Sequence, residues 1–239
     1  MTERTLLSEA HRGEYYHQLI DRRERAALAR RHQNALRLAG VWQPPTRILD
    51  VGCGSGLLLS TLSPPSAVRV GCDIFVDAFR DGGLRPDDVL FVQADGTRLP
   101  FADGSFDLVI CLAVIGEFPD WRAALAEMTR AVAPGGVLYV TLANSRLLLP
   151  SYRLVERFGG RVRQTWWEYA RACQRLSTDR ASAGFGVPAL AGWRYVDVTP
   201  YLARSHWSWV RVVPLSLLRA ALSRLAPSFG FAWQRPRTS

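Results

Sequence analysis

Lysine is absent from these 239 residues: all thirty basic side chains are arginine, set against 21 acids and four histidines for a net charge of +9. Such a bias reflects genomic base composition and carries no mechanism by itself. Cysteine is scarce as well. Cys53, Cys72, Cys111 and Cys173 form no C-x-x-C pair, and no His/Cys cluster has zinc spacing, which excludes a zinc-stapled fold and makes a reduced, cytoplasmic setting the simplest expectation. No uninterrupted apolar run approaches the roughly 18 residues of a membrane-spanning helix. The opening Met-Thr-Glu-Arg-Thr lacks the apolar core of a secretory leader. Internal repeats and low-complexity stretches are missing too. What the chain does have is 48% hydrophobic residues, enough for one sizeable core and hence a single domain over 1–239 with embellishments.

The charge is uneven. Residues 1–46 hold eight arginines and five acids, residues 47–144 seven and twelve, and residues 145–239 fifteen and four. An acidic middle is therefore followed by a strongly basic tail. Such a tail either contacts an anionic substrate, nucleic acid or membrane surface, or is an arginine-rich face turned to water.

The acidic middle carries the most specific pattern. Ile48, Leu49 and Val51 read as a buried strand that breaks into glycines at alternate positions, Gly52, Gly54 and Gly56, before the apolar run 57–62 opens a helix. Glycine permits a tight turn and a close approach of backbone to ligand, and the helix start offers unpaired N–H groups. The spacing is G-x-G-x-G, not the G-x-G-x-x-G of a dinucleotide site. Asp50, just ahead of the first glycine, suits a cationic ligand better than a pyrophosphate. Cys53, between two glycines, reads as a small side chain with an available N–H and not as a nucleophile. Further strands are expected over 68–73, 89–95, 106–112 and 137–142, with Pro134-Gly-Gly136 as a turn and a helix from Trp121 to Val132. Strands alternating with helices imply a doubly wound parallel sheet that binds ligands at the strands' carboxyl ends. Asp50, Asp73, Asp95 and Cys111 all fall at such ends. Asp73 lies 17 residues beyond Gly56, near the roughly 20-residue spacing of an acid that holds a ribose diol. Asp73 and Asp95 also suit helix caps, and Asp107, which starts a strand, reads as structural.

Asp50-Val-Gly-Cys-Gly-Ser-Gly56 resembles the first motif of class I S-adenosylmethionine-dependent methyltransferases, and the strands over 47–144 follow in register with that family. The resemblance implies a mostly parallel, seven-stranded Rossmann-like α/β sheet. It also implies S-adenosyl-L-methionine as cofactor, with S-adenosyl-L-homocysteine as product. The cofactor set it suggests is Tyr15, Asp50, Gly52, Cys53, Gly54, Gly56, Asp73, Ile74, Asp95, Gly96 and Cys111. In this family an acid at the place of Asp95 contacts the adenine amino group, and a neighbouring backbone N–H reads the ring. No metal is implied. Small-molecule members often carry a histidine after the fourth strand in a V-L-x-H-x-P-D pattern. Here Val114-Ile-Gly-Glu-Phe-Pro-Asp120 puts Glu117 in its place, so the histidine mechanism does not transfer directly. Glu117 acts as base, steers a cationic acceptor, or caps the helix that starts near Trp121; His206 is the second candidate base.

Outside the core, residues 1–46 read as a helical cap whose Tyr15, Tyr16 and His17 either face the cofactor or pack the cap onto the sheet. Residues 145–206 read as a helical lid, with Trp166, Trp167 and Tyr169 lining it or packing its helices. Residues 207–239 read as a helix opened by Pro214 and a closing strand at 229–233. The apolar face of that helix covers the sheet or rests on a membrane interface. An N/D-P-P-Y motif, an appended RNA-binding module and a magnesium-type acid cluster are all missing. The expected activity is methyl transfer to a small organic acceptor, at oxygen of a natural-product or lipid-linked metabolite, by a monomer or homodimer without nucleic acid. Two alternatives stay open: an RNA or polyanion methyltransferase using the basic tail, and a cofactor-binding regulator or cyclase-like relative.

Overall fold

The computed structural model describes residues 45–54, 56, 58–59, 67–75, 89–112, 114–143, 145–162, 167, 170–171, 190, 192–201 and 228–237. Seven strands form one sheet in the order β3-β2-β1-β4-β5-β7-β6. They are β1 (Arg47–Val51), β2 (Val68–Asp73), β3 (Val89–Gln93), β4 (Phe106–Cys111), β5 (Val132–Ala143), β6 (Arg194–Tyr201) and β7 (Ser228–Gln234). The first five run parallel, and β7 lies antiparallel between β5 and β6. The expected α/β architecture is therefore present as a mixed sheet. After β3 the chain returns to the other side of β1, so strand order reverses between β1 and β4. Ligands of such sheets sit in the crevice outside that reversal.

Both faces of the central strands are covered, which is why β1 reads as a nearly continuous apolar run. Ile48 packs with Leu58, Leu59, Ile110 and Tyr139 on one face. Leu49 and Val51 pack with Val109, Leu138, Leu125 and Met128 on the other. The latter two belong to α1 (Trp121–Ala131), whose buried Ala124, Leu125, Met128 and Thr129 form one stripe. Asp120 caps α1 by accepting from the Ala123 N–H at 3.0 Å. Glu117 does not cap it; that residue ends a separate 3-10 turn, Ile115–Glu117.

Two further expectations are corrected. Pro134-Gly-Gly136 is not a turn ahead of the fifth strand but a bulge inside it: Phe106 faces Val132 while Leu108 faces Val137, and the Gly135 N–H and Gly136 carbonyl still bond to Arg235, just past the end of β7. The lid cannot extend over 145–206 as one helical unit, because β6 takes Arg194–Tyr201 into the sheet. Its Val, Thr and Tyr residues favour strand. Its Pro200 is tolerated because β6 is an edge strand. A second helix, α2 (Ser145–Arg157), follows β5 at once. The cap up to residue 44 and the helix over 207–226 lie outside the described residues.

One guanidinium fastens the loop before β4. Arg130 donates to both oxygens of Glu127, to Asp103 and to the carbonyls of Leu99 and Phe101, while the Leu99 N–H donates to Glu127. Arg130→Ala is expected to lower unfolding stability by about 2 kcal/mol, since two part-buried carbonyls and a carboxylate lose a charged donor. Asp103→Ala removes a partner that is 77% exposed and should cost under about 0.5 kcal/mol. Urea unfolding of the two variants measures the difference.

Candidate functional site

The glycine loop is shaped by what lies against it. Gly52, Gly54 and Gly56 have φ of 75°, 53° and 72°, a region that side chains strain to enter. Space is closed as well. A Cβ on Gly52 would lie 2.6 Å from a Val114 methyl, and one on Gly56 would lie 2.5 Å from the Phe91 ring. The loop is then tied to the end of β2. The Gly52 and Cys53 N–H groups both donate to the Cys72 carbonyl, at 2.8 and 3.1 Å, and the Gly54 N–H donates to Asp73 Oδ2 at 3.0 Å. The Cys53 N–H expected to be available is thus already used. Its thiol packs against Gly71, where a Cβ would come within 2.6 Å of the sulfur.

These ties bring two carboxylates together under the loop. Asp50 is only 4% exposed. Burial, and then the neighbouring Asp73 carboxylate, push its carboxyl up to about 7. Burial also raises Asp73, against the opposing bonds from the Phe75, Gly54 and Ile74 N–H groups. Among the described residues no arginine pairs with either acid, since the ion pairs there join Arg47 to Asp107 and Arg130 to Asp103 and Glu127. Desolvated carboxylates without a cation are costly, and a bound cation would relieve that cost. Asp73 Oδ1 accepts from Phe75 at 3.1 Å; with three N–H donors shared over its two oxygens, the carboxylate keeps acceptor capacity, as a diol would require. The thiols of Cys53 and Cys111 are held well above their usual range by burial, and that of Cys72 is pushed to about 12. All three are neutral thiols at physiological pH, in keeping with the non-nucleophilic reading of Cys53.

The loops after β3 and β4 close the other side. Asp95 Oδ1 accepts from both the N–H and the hydroxyl of Thr97, at 2.9 and 2.8 Å, shaping the turn after β3. Gly96 lies under Phe118, whose ring would come within 2.6 Å of a Cβ there. Ile74 presents an apolar surface beside Asp73 and is 43% exposed. Cys111 turns its side chain into the core, and its sulfur accepts from the Val114 and Ile115 N–H groups, so any ligand contact there falls to backbone. Glu117 is half-buried on the 3-10 turn above the strand ends, its N–H bonded to the Val114 carbonyl at 2.7 Å. Tyr15 and His206, with Tyr16, His17, Trp166 and Tyr169, lie outside the described residues. Val114, Phe118 and Phe91 shape the site and were not singled out from the sequence. Their only trace there is the set of glycines they press against.

A family model described as a methyltransferase domain matches residues 49–140. A demethylmenaquinone methyltransferase of Beutenbergia cavernae is 39% identical over 98 residues, 41% of this chain and 41% of the relative. The chain thus matches about two fifths of that curated relative's length. A chain from the complex between the Haloferax volcanii Trm112 methyltransferase activator and a putative methyltransferase superposes with a TM-score of 0.56 at 19% identity, over 94% of this chain and 98% of that one. N-methyltransferase NodS from Bradyrhizobium japonicum, in complex with S-adenosyl-L-homocysteine, superposes with a TM-score of 0.50 at 17% identity, over 87% of each chain. At these identities the structural likeness speaks to the fold.

The raised Asp50 carboxyl has a measurable consequence. In the unfolded chain it ionises near pH 4; in the fold it keeps its proton up to about 7. The folded state therefore binds more protons between those values. Asp50 should make stability of the ligand-free protein fall across that window, by up to roughly 4 kcal/mol, and level off above it. Asp50→Asn should remove this component of the slope in chemical unfolding followed as a function of pH.

Proposed function

We propose that this chain, whose residues 49–140 match a methyltransferase-domain model, is a class I S-adenosylmethionine-dependent methyltransferase that methylates a small organic acceptor at oxygen. The observation that carries the cofactor half is the buried Asp50–Asp73 pair with no arginine beside it among the described residues. Such a pair favours a ligand that brings its own positive charge. Asp73 would hold the ribose diol, Asp95 and the Gly96 N–H the adenine, Ile74 the face of its ring, and the glycine loop the amino-acid end. Tyr15 would close the cleft from the cap, and the region around α2 would form part of the lid. Bound there, the cofactor supplies a methyl group already activated on sulfonium.

What the chain must add is alignment and exclusion of water, and most of the rate comes from that positioning. An acceptor hydroxyl must also lose a proton. Glu117, on the turn that carries Val114 to the loop, is the first group proposed to receive it, and His206 the second. The name of the relative, a demethylmenaquinone methyltransferase, supports a lipid-linked quinone or phenol as the acceptor class. That name does not give the atom methylated; the proposal of oxygen rests on Glu117, a half-buried acid on the turn above the strand ends that could receive a hydroxyl proton.

The full chain should be incubated with methyl-labelled cofactor and a panel of phenols, quinols, amines and RNA. Label is expected in an organic-soluble phenol or quinol product. Label in RNA would transfer the function to a polyanion acceptor, and tight cofactor binding without label in any acceptor would favour a regulator or cyclase-like role. Glu117→Gln should lower kcat by about a hundredfold or more while leaving cofactor affinity unchanged. Asp73→Ala should weaken cofactor binding by at least about tenfold in calorimetry. Unchanged affinity in that variant would remove Asp73 from the ribose contact.

A further inference from the structure

Three of the six large apolar side chains that stand exposed among the described residues lie together at the end of α2: Leu154 at 56%, Val155 at 45% and Phe158 at 80% exposure. They occupy one arc of the helix. Arg146, Arg153 and Arg157, all exposed, lie along the adjoining arc, at spacings of seven and four residues. The inward side is carried by Ser145 and Leu149, which are buried. The Gly159 N–H bonds to the Glu156 carbonyl at 3.0 Å and the Gly160 N–H to that of Val155 at 2.9 Å, a hydrogen-bonded helix stop that leaves Phe158 projecting at the end. The acid of this stretch, Glu156, accepts from the Trp167 indole at 2.9 Å, and Trp167 packs on Tyr152 with ring centroids 5.4 Å apart.

We propose that the end of α2 is an interfacial anchor for an anionic lipid bilayer. Leu154, Val155 and Phe158 would enter the headgroup–acyl boundary while Arg153 and Arg157 meet lipid phosphates. Charge complementarity selects this occupant: an exposed apolar arc bordered by arginines matches a negatively charged surface with an apolar interior. Leu154 and Val155 give a nucleic-acid backbone nothing to bond. No helix among the described residues is long and apolar enough to cross a membrane, so the contact proposed is peripheral. This surface is separate from the 207–226 segment considered in the sequence.

Placement gives the anchor a use. Because β5 runs parallel to β4, α2 leaves the sheet at the edge where the Asp50, Asp73 and Asp95 loops emerge. The anchor lies at the other end of α2, about 18 Å along the helix; seated on lipid, it would keep the cleft within about one helix length of a lipid-linked acceptor, and that second step rests on the acceptor class proposed above.

The test is sedimentation of the full chain, without cofactor, with vesicles of phosphatidylcholine alone or with one quarter phosphatidylglycerol. Binding is expected to the anionic vesicles and to weaken with salt. Arg153→Gln and Arg157→Gln should each reduce it about fivefold, and Leu154→Ser with Phe158→Ser at least about tenfold. Cofactor affinity by calorimetry should be unchanged in every variant, which shows that the fold and the cleft survive. Failure of the wild-type chain to bind anionic vesicles, or equal binding by the serine variant, overturns the anchor. A fall in RNA binding with no change in vesicle binding would overturn it in favour of a nucleic-acid surface. Because no cofactor or acceptor is present, these outcomes leave the methyl-transfer assay an independent result.

Discussion

The Cys72 carbonyl accepts two N–H groups from the glycine loop, and Asp73 accepts a third. Those three bonds hold the end of β1 against the end of β2, and the rest of the site follows from them. They hold a loop whose Gly52, Gly54 and Gly56 all have left-handed backbone. They also draw Asp73 toward Asp50 beneath the loop. Val114, on the chain leaving β4, and Phe91, on β3, fill the volume that the missing side chains of Gly52 and Gly56 leave open, and Phe118 does the same at Gly96. The cleft is thus built from the ends of four neighbouring strands, and its shape depends on backbone contacts more than on any one polar side chain.

Two aspartates on adjacent strands illustrate how place decides chemistry. Asp107, at the start of β4, accepts from the Thr46 and Arg47 N–H groups, the Thr46 hydroxyl and the Arg47 guanidinium. Burial raises its carboxyl, but those bonds outweigh it and hold the group below its usual range. Asp50, at the end of β1, has burial and a like charge and is raised instead. One acid fastens strands at the end of the sheet that serves stability. The other stands in the crevice where strand order reverses, and there a cationic ligand would lower its pKa by favouring the ionised form. The same residue type serves structure at one edge and ligand recognition at the opposite edge.

The basic charge of residues 145–239 takes on a more local meaning on α2. Arginines at positions 146, 153 and 157 are not a diffuse tail but one side of a helix, beside an exposed apolar arc. A cleft for methyl transfer and a helix suited to a lipid surface then open from the same edge of one sheet.

The sequence by itself determined the five parallel strands, the loop between β1 and its helix, and the acids at the strand ends. Those features are local: strand periodicity, glycines at alternate positions and a carboxylate at a strand's last residues are written in neighbouring positions. The structural role of Asp107 was legible for the same reason, since an acid that opens a strand lies at the edge away from the cleft. Only tertiary structure decided the rest. Whether Pro134-Gly-Gly136 ends a strand or bulges within it depends on hydrogen bonds to Arg235, about a hundred residues away. Whether 194–201 belongs to a lid or to the sheet depends on the backbone of β7 as its partner. Why Gly52, Gly56 and Gly96 must be glycine depends on Val114, Phe91 and Phe118, and why the Asp50 carboxyl is raised depends on burial and on Asp73. Long-range packing and the loss of water leave no mark in local sequence, and those two effects turn a recognisable motif into a site.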